Sequence, residues 1–170
     1  MIRVACAILA ASLAVILGVL LSVDLSPGSV STTPGSGAMF DAIADHYDTT
    51  NKVMSLGSDV SWRVELVKAL NLQEGDTVLD LATGTAEVAI ALARTDARPR
   101  VVGIDPSAKM LQHGREKVAK AGLAGQGQGT VELFQGDAQH LHGMSSKSFD
   151  KTCISFGIRN VPDRAAALEE

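Results

Sequence analysis

Three aspartates each stand at the end of a short apolar run that opens into small residues: Asp80 in TVLDLATGTA, Asp105 in VVGIDPS and Asp137 in LFQGDA. The runs read as β-strands, so the acids gather at the carboxyl ends of successive strands, where open α/β sheets bind their ligands. Between Asp80 and Glu87 only Gly84 is glycine, but Ala82, Thr85 and Ala86 are small enough for the backbone to approach a ligand closely. A carboxylate at this place repels the pyrophosphate of a dinucleotide and attracts positive charge. S-adenosylmethionine carries an ammonium and a sulfonium, so Asp80 would draw its amino-acid end, directly or through water, while Gly84 and Thr85 let the backbone meet it. Asp105 is placed to accept hydrogen bonds from two ribose hydroxyls, a role that suits NAD as well. Asp137 and Ala138 can present a carboxylate to an adenine amino group and a backbone N–H to its ring. Plainer readings exist beside these: Asp80 as a turn cap, Asp105 as a helix N-cap before Pro106.

The elements that must position these acids follow from periodicity. MFDAIADHYDTTNKVMSLGSDVSWR mixes apolar and polar residues at helical spacing, and SWRVELVKALNL carries a broad apolar face through Trp62, Val64, Leu66, Val67 and Leu70. Strand, loop and helix then succeed one another: Asp76 to Leu81, a small-residue loop, and a helix from Glu87 to Arg94. The unit repeats with a strand at Val101 to Asp105 and a helix around Lys109 to Lys120, with Pro106 suited to a first turn. A glycine-rich turn, Gly122 to Gly129, leads to a strand at Val131 to Phe134, and FDKTCISF supplies a fourth. Strands alternating with helices imply an α/β, Rossmann-like, doubly wound parallel sheet with right-handed crossovers, here expected to stop after its fourth strand within PDRAAALEE, so that the domain is C-terminally incomplete.

The 170 residues allow one domain, and a net charge of −4 without a Lys/Arg stripe argues against nucleic acid as a partner. Residues 1–24 form a hydrophobic leader, uncharged from Val4 to Val23 behind Arg3, long enough for a membrane anchor and also compatible with a cleaved signal. Residues 25–38, rich in Ser, Thr, Gly and Pro, read as a flexible linker, which leaves 39–170 as the folded domain. Cys6 and Cys153 suggest no disulfide framework, and His140 with His142 lacks the further ligands of a metal site.

From Met39 to Glu170 the sequence resembles the UbiE/COQ5 methyltransferases, which are class I enzymes dependent on S-adenosylmethionine. The resemblance rests on Tyr47-Asp48 followed by Asn51, Ser55 and Trp62, on VLDLATGTAEVA, on GIDPSAKML, on GDA, and on ISFGIRNVPD at Ile154 to Asp163. Thr50 stands where a Met is usual, Asp59 where a His is usual, and Ala86 where a glycine is more frequent. The resemblance implies C-methylation of a prenylated benzoquinol or naphthoquinol in ubiquinone, menaquinone or phylloquinone biosynthesis. It places Thr85, Asp105, Asp137, Ala138 and Ser155 at cofactor contacts, and brings Tyr47, Arg159 and Asn160 near the transferred methyl group. Deprotonating a quinol hydroxyl pushes charge onto the neighbouring carbon, and Arg159 would stabilise the phenolate.

Two other readings stay open on sequence: an NAD-dependent oxidoreductase, which Asp80 argues against, and a non-catalytic, membrane-tethered fragment. A prenylated substrate resides in lipid, so the leader makes membrane association the expectation, with a plastid or mitochondrion as candidate compartments. An unpaired sheet edge favours a partner, whether a second copy in a homo-oligomer or a quinone-biosynthesis complex.

Overall fold

A computed structural model describes residues 35–170. The hydrophobic leader and most of the expected linker lie outside these described residues. The last linker positions belong to the folded unit: Gly35 to Gly37 form a turn that leads into helix α1, Ala38–Met54. Gly37 has φ +78°, and a Cβ there would lie 2.6 Å from the Pro106 carbonyl carbon. Only glycine fits that close approach to the loop after the second strand.

Helix α2, Ser58–Ala69, follows after a tight corner and flanks the sheet without burying any residue fully. The sheet comprises β1 (Thr77–Leu81), β2 (Arg100–Asp105), β3 (Val131–Gln135) and β4 (Lys151–Ile154). The connecting helices are α3, Glu87–Ala93, and α4, Ala108–Lys120, and a short α5, Arg164–Glu169, closes the described chain. The strand order is β3-β2-β1-β4 and every pairing is parallel. The direction of winding therefore reverses beside β1, and the crevice beyond the carboxyl ends of β1 and β4 is the switch point of a doubly wound fold.

The central strands are buried on both faces, which is why they read as near-continuous apolar runs. Val78, Val101 and Val131 point to one face and pack with Ala89, Leu92, Leu111 and Val118 of α3 and α4. Leu79, Leu81, Val102 and Ile104 point to the other, where Ala138, Leu141, Phe149 and Ala167 cover them. The two-residue period of a strand thus divides one run of sequence between two cores.

Helix α1 is held along α4 by polar groups rather than by a deep apolar seam. Asp41, Asp45 and Asp48 share one face of α1 by helical spacing. Asp41 accepts from the Ser107 hydroxyl at 2.6 Å and the Lys109 N–H at 3.0 Å, Asp45 pairs with His113 at 3.0 Å, and Asp48 pairs with Lys117.

Candidate active site

The loop from Ala82 to Ala86 begins where β1 ends. Its backbone alternates through left-handed conformations at Ala82, Gly84 and Ala86, with φ of 52°, 56° and 63°. This zigzag sends successive residues to opposite sides of the loop. Gly84 faces open space in the direction a Cβ would take, so its peptide is available to a ligand. Thr85 is buried on the reverse side, where its hydroxyl donates to Asp48 at 2.6 Å and accepts from Lys117 at 3.0 Å.

A cavity of about 750 Å³ opens at the carboxyl ends of the strands. Eight of the sequence-predicted site residues line it: Tyr47, Gly84, Asp105, Asp137, Ala138, Ser155, Arg159 and Asn160. Asp80 and Thr85 lie outside its lining. Asp80 sits beneath the loop, 1% exposed, with one carboxylate oxygen accepting from the Thr83 hydroxyl at 2.6 Å and the other from the Cys153 thiol at 3.4 Å. Burial lifts its pKa to about 6, against the opposing pull of the Thr83 and Cys153 hydrogen bonds. Through these bonds Asp80 ties β1, the loop and β4 together at the switch point.

Asp105 has a different environment. It lines the cavity from the end of β2, and its two oxygens each accept one backbone N–H, from Gly84 at 2.9 Å and from Ser107 at 2.8 Å. Burial pushes its pKa upward, and those two N–H groups act in the opposite direction. A carboxylate offers about four acceptor positions, so two remain for a ligand. Asp137 is oriented by Gln139, whose side-chain amide donates to both carboxylate oxygens at 3.0 Å and whose backbone N–H donates at 2.9 Å. Gln139 in turn accepts from the Asp163 N–H at 2.8 Å, which fixes the acid relative to the segment carrying Arg159 and Asn160. Those two residues lie in a 3-10 turn, Ile158–Asn160, across the cavity wall, and Phe40 packs edge-on against Tyr47 with ring centroids 6.1 Å apart.

The sequence reading missed the apolar walls, Met39, Phe40, Met110 and Phe156, and the Gly35–Gly37 turn. It also missed Lys117, whose ammonium meets Asp48, Glu87 at 2.7 Å and Thr85 behind the loop. Arg63 extends that network to Glu87 at 3.5 Å and to Asp59 at 3.2 Å, and the Ser55 hydroxyl is the main cause of a lowered Asp59 pKa, followed among the lowering causes by Arg63. The spacing of Asp41, Asp45 and Asp48 was the available signal for this packing. A second cavity of about 480 Å³ lies outside β3, lined by Phe134, His140, Leu141 and Met144 among others. Among the described residues no group of three His, Cys, Asp or Glu could hold a metal ion.

A family model described as the ubiE/COQ5 methyltransferase family matches residues 31–170. The chain belongs to that family. It is similar to a ubiquinone/menaquinone biosynthesis C-methyltransferase of Geotalea daltonii, 40% identical over 133 residues, which covers 78% of this chain and 54% of the relative. It is 42% identical over 149 residues to a demethylmenaquinone methyltransferase of a Mycobacterium species, strain KMS, with coverage of 88% and 56%. The chain thus spans about half the length of the curated relatives it matches. A SAM-dependent methyltransferase from Thiobacillus denitrificans, solved in complex with S-adenosyl-L-homocysteine, superposes with a TM-score of 0.51 at 25% identity, covering 63% of this chain and 40% of that one. Within this UbiE/COQ5 member, the motif that includes Trp62 and the motif at Ile154 to Asp163 meet in space, because the Trp62 and Phe156 rings lie 5.6 Å apart.

Proposed function

We infer that this chain carries the cofactor-binding portion of a C-methyltransferase that uses S-adenosylmethionine to methylate a prenylated quinol in ubiquinone, menaquinone or phylloquinone synthesis. The observation that carries the reading is Asp105: a buried acid on the cavity wall, with two acceptor positions left for a ribose diol. Its bond to Gly84 also weighs against a dinucleotide. A phosphate at the start of α3 would compete with Asp105 for the Gly84 N–H and meet its negative charge. A sulfonium meets no such conflict.

The lining fits the cofactor in other respects. Asp137 and Ala138 would hold the adenine, Gly84 leaves room for close approach to the backbone, and Ser155 adds a polar group near the end of β4. Asp80 and Thr85 would act from behind, the first by anchoring Thr83 and the second by fixing the loop to α1 and α4. When bound, S-adenosylmethionine supplies an electrophilic methyl group and departs as a neutral thioether.

For the quinol, Tyr47, Arg159 and Asn160 line the same cavity. The Arg159 guanidinium stabilises a phenolate oxygen through its planar fork of N–H donors. Tyr47 and Asn160 orient the ring hydroxyls. The hydroxyl proton leaves to solvent water as the phenolate forms, and after transfer the ring proton passes by way of water to the resulting carbonyl oxygen, which restores the aromatic hydroxyl. Positioning supplies most of the acceleration, for which about 7–11 kcal/mol is available from oriented reactants. A substrate with an isoprenoid tail resides in lipid, which suits the apolar run in residues 1–24 as a means of membrane association. Among the described residues no helix is long and apolar enough to cross a membrane.

The test is transfer of a labelled methyl group from S-adenosylmethionine to a naphthoquinol or benzoquinol. Product methylated on ring carbon, reduced at least about 100-fold in Arg159→Met, supports the reading. Methylation on oxygen, or transfer indifferent to Arg159, contradicts it.

A further inference from the structure

One aromatic residue of the cavity wall, paired with a second outside the lining, is not used by the methyl-transfer chemistry. Phe156 lines the cavity, and its ring meets Trp62 of α2 at 5.6 Å with the planes 50° apart. Both rings are half exposed, at 53% and 50%. Phe156 also holds φ +60°, a left-handed backbone that bulky residues rarely adopt and that clusters at ligand clamps. The backbone beside it passes close to the end of β1, where only glycine fits, because a Cβ on Gly157 would lie 2.3 Å from the Ala82 methyl.

An aromatic ring kept at the surface on an unfavourable backbone is not explained by core packing. Its surroundings suggest a use. Asp105, Asp137, Ser155, Arg159 and Asn160 are among the polar groups of the cavity, whereas Met39, Phe40 and Met110 continue its apolar wall. The site thus suits a polar reacting head with an apolar extension, and Trp62 prolongs the apolar surface beyond Phe156.

We propose that Trp62 and Phe156 form the rim that grips the isoprenoid tail of the quinol where it leaves the cavity, and so set a preference for tailed over tailless substrate. The proposal rests on the quinol reading above and assigns that substrate's apolar part to two specific residues.

The chain has one tryptophan, so its fluorescence reports Trp62 alone. The 170-residue chain, saturated with S-adenosylhomocysteine, is titrated with a redox-inert naphthol and with the same naphthol bearing two isoprene units. The tailed compound should bind at least about tenfold more tightly and shift the Trp62 emission to the blue, while the tailless one leaves the emission unchanged. Phe156→Asn tolerates the left-handed backbone while removing the ring, and should reduce the tail advantage below about threefold. Trp62→Ala, followed by calorimetry, should do the same with S-adenosylhomocysteine affinity held within about threefold. Circular dichroism confirms that each variant is folded.

An undiminished tail advantage in both variants overturns the proposal. So does emission that ignores the tailed compound, or that shifts to the blue with protein concentration alone, which would mean that a second copy covers the rim. Tail preference without S-adenosylhomocysteine binding would leave the rim standing and sink the cofactor reading. Binding of S-adenosylhomocysteine without tail preference would do the reverse.

Discussion

Replacing Asp80 with Asn should change how stability depends on pH. The buried carboxyl has its pKa lifted from the ordinary 3.8 to about 6, chiefly by desolvation. A raised native pKa means that the folded state holds its proton more tightly than the unfolded chain. The corresponding stability is fully present below about pH 4, declines as pH rises, and is gone above about pH 6. At 1.36 kcal/mol per pH unit, the lift corresponds to about 3 kcal/mol between those limits. Asn is neutral throughout and carries no such penalty. Urea unfolding of both proteins from pH 4 to pH 8 measures the gap between them, which cancels the titrations they share. The gap should move in favour of Asp80→Asn by about 2–3 kcal/mol from pH 4 to pH 7. A constant offset, reflecting only the altered bonds to Thr83 and Cys153, would refute the reasoning by showing that Asp80 titrates as an ordinary carboxyl.

Three further substitutions probe the support of the site. The Thr50 hydroxyl oxygen is buried without a hydrogen-bond partner, so Thr50→Val should stabilise by about 1 kcal/mol, seen as a higher urea midpoint at unchanged slope. Lys117→Met removes two ion pairs and leaves Asp48 and Glu87 together behind the cofactor loop. Because Asp48 and Glu87 are 42% and 45% exposed, the expected loss is only about 1–2 kcal/mol, and it should shrink in 1 M salt if the network is electrostatic. Gly157→Ala drives a methyl group to 2.3 Å from the Ala82 Cβ; it should cost about 1–3 kcal/mol in thermal unfolding and weaken cofactor binding through the displaced β4 loop.

The parallel sheet was legible because central strands buried on both faces leave continuous apolar runs, and β1, β2 and β3 fall within a residue or so of their expected bounds. The strand expected over Phe149 to Phe156 is shorter, Lys151–Ile154, since Phe156 turns into left-handed backbone at the cavity and Asp150 caps the start by accepting the Thr77 N–H. Cavity residues set by strand ends, such as Asp105 and Asp137, follow directly from pattern. The side of the loop to which Thr85 points does not. It depends on three alternate left-handed positions, two of them alanines, which composition gives no reason to expect. The burial of Asp80 was equally hidden, because its partners Thr83 and Cys153 come from a loop and from a strand distant in sequence. The polar seam between α1 and α4 could have been read from Asp41, Asp45 and Asp48, had their spacing been set against the basic groups of α4.

The central claim is that the carboxyl end of this sheet binds S-adenosylmethionine through Asp105. Calorimetric titration of the chain with S-adenosylmethionine, beside Asp105→Ala and Asp105→Asn, tests it most directly. The account predicts saturable one-to-one binding that Asp105→Ala weakens by at least about 100-fold, with no binding of NAD. A folded chain that binds NAD instead, or that binds S-adenosylmethionine equally well without Asp105, would contradict it.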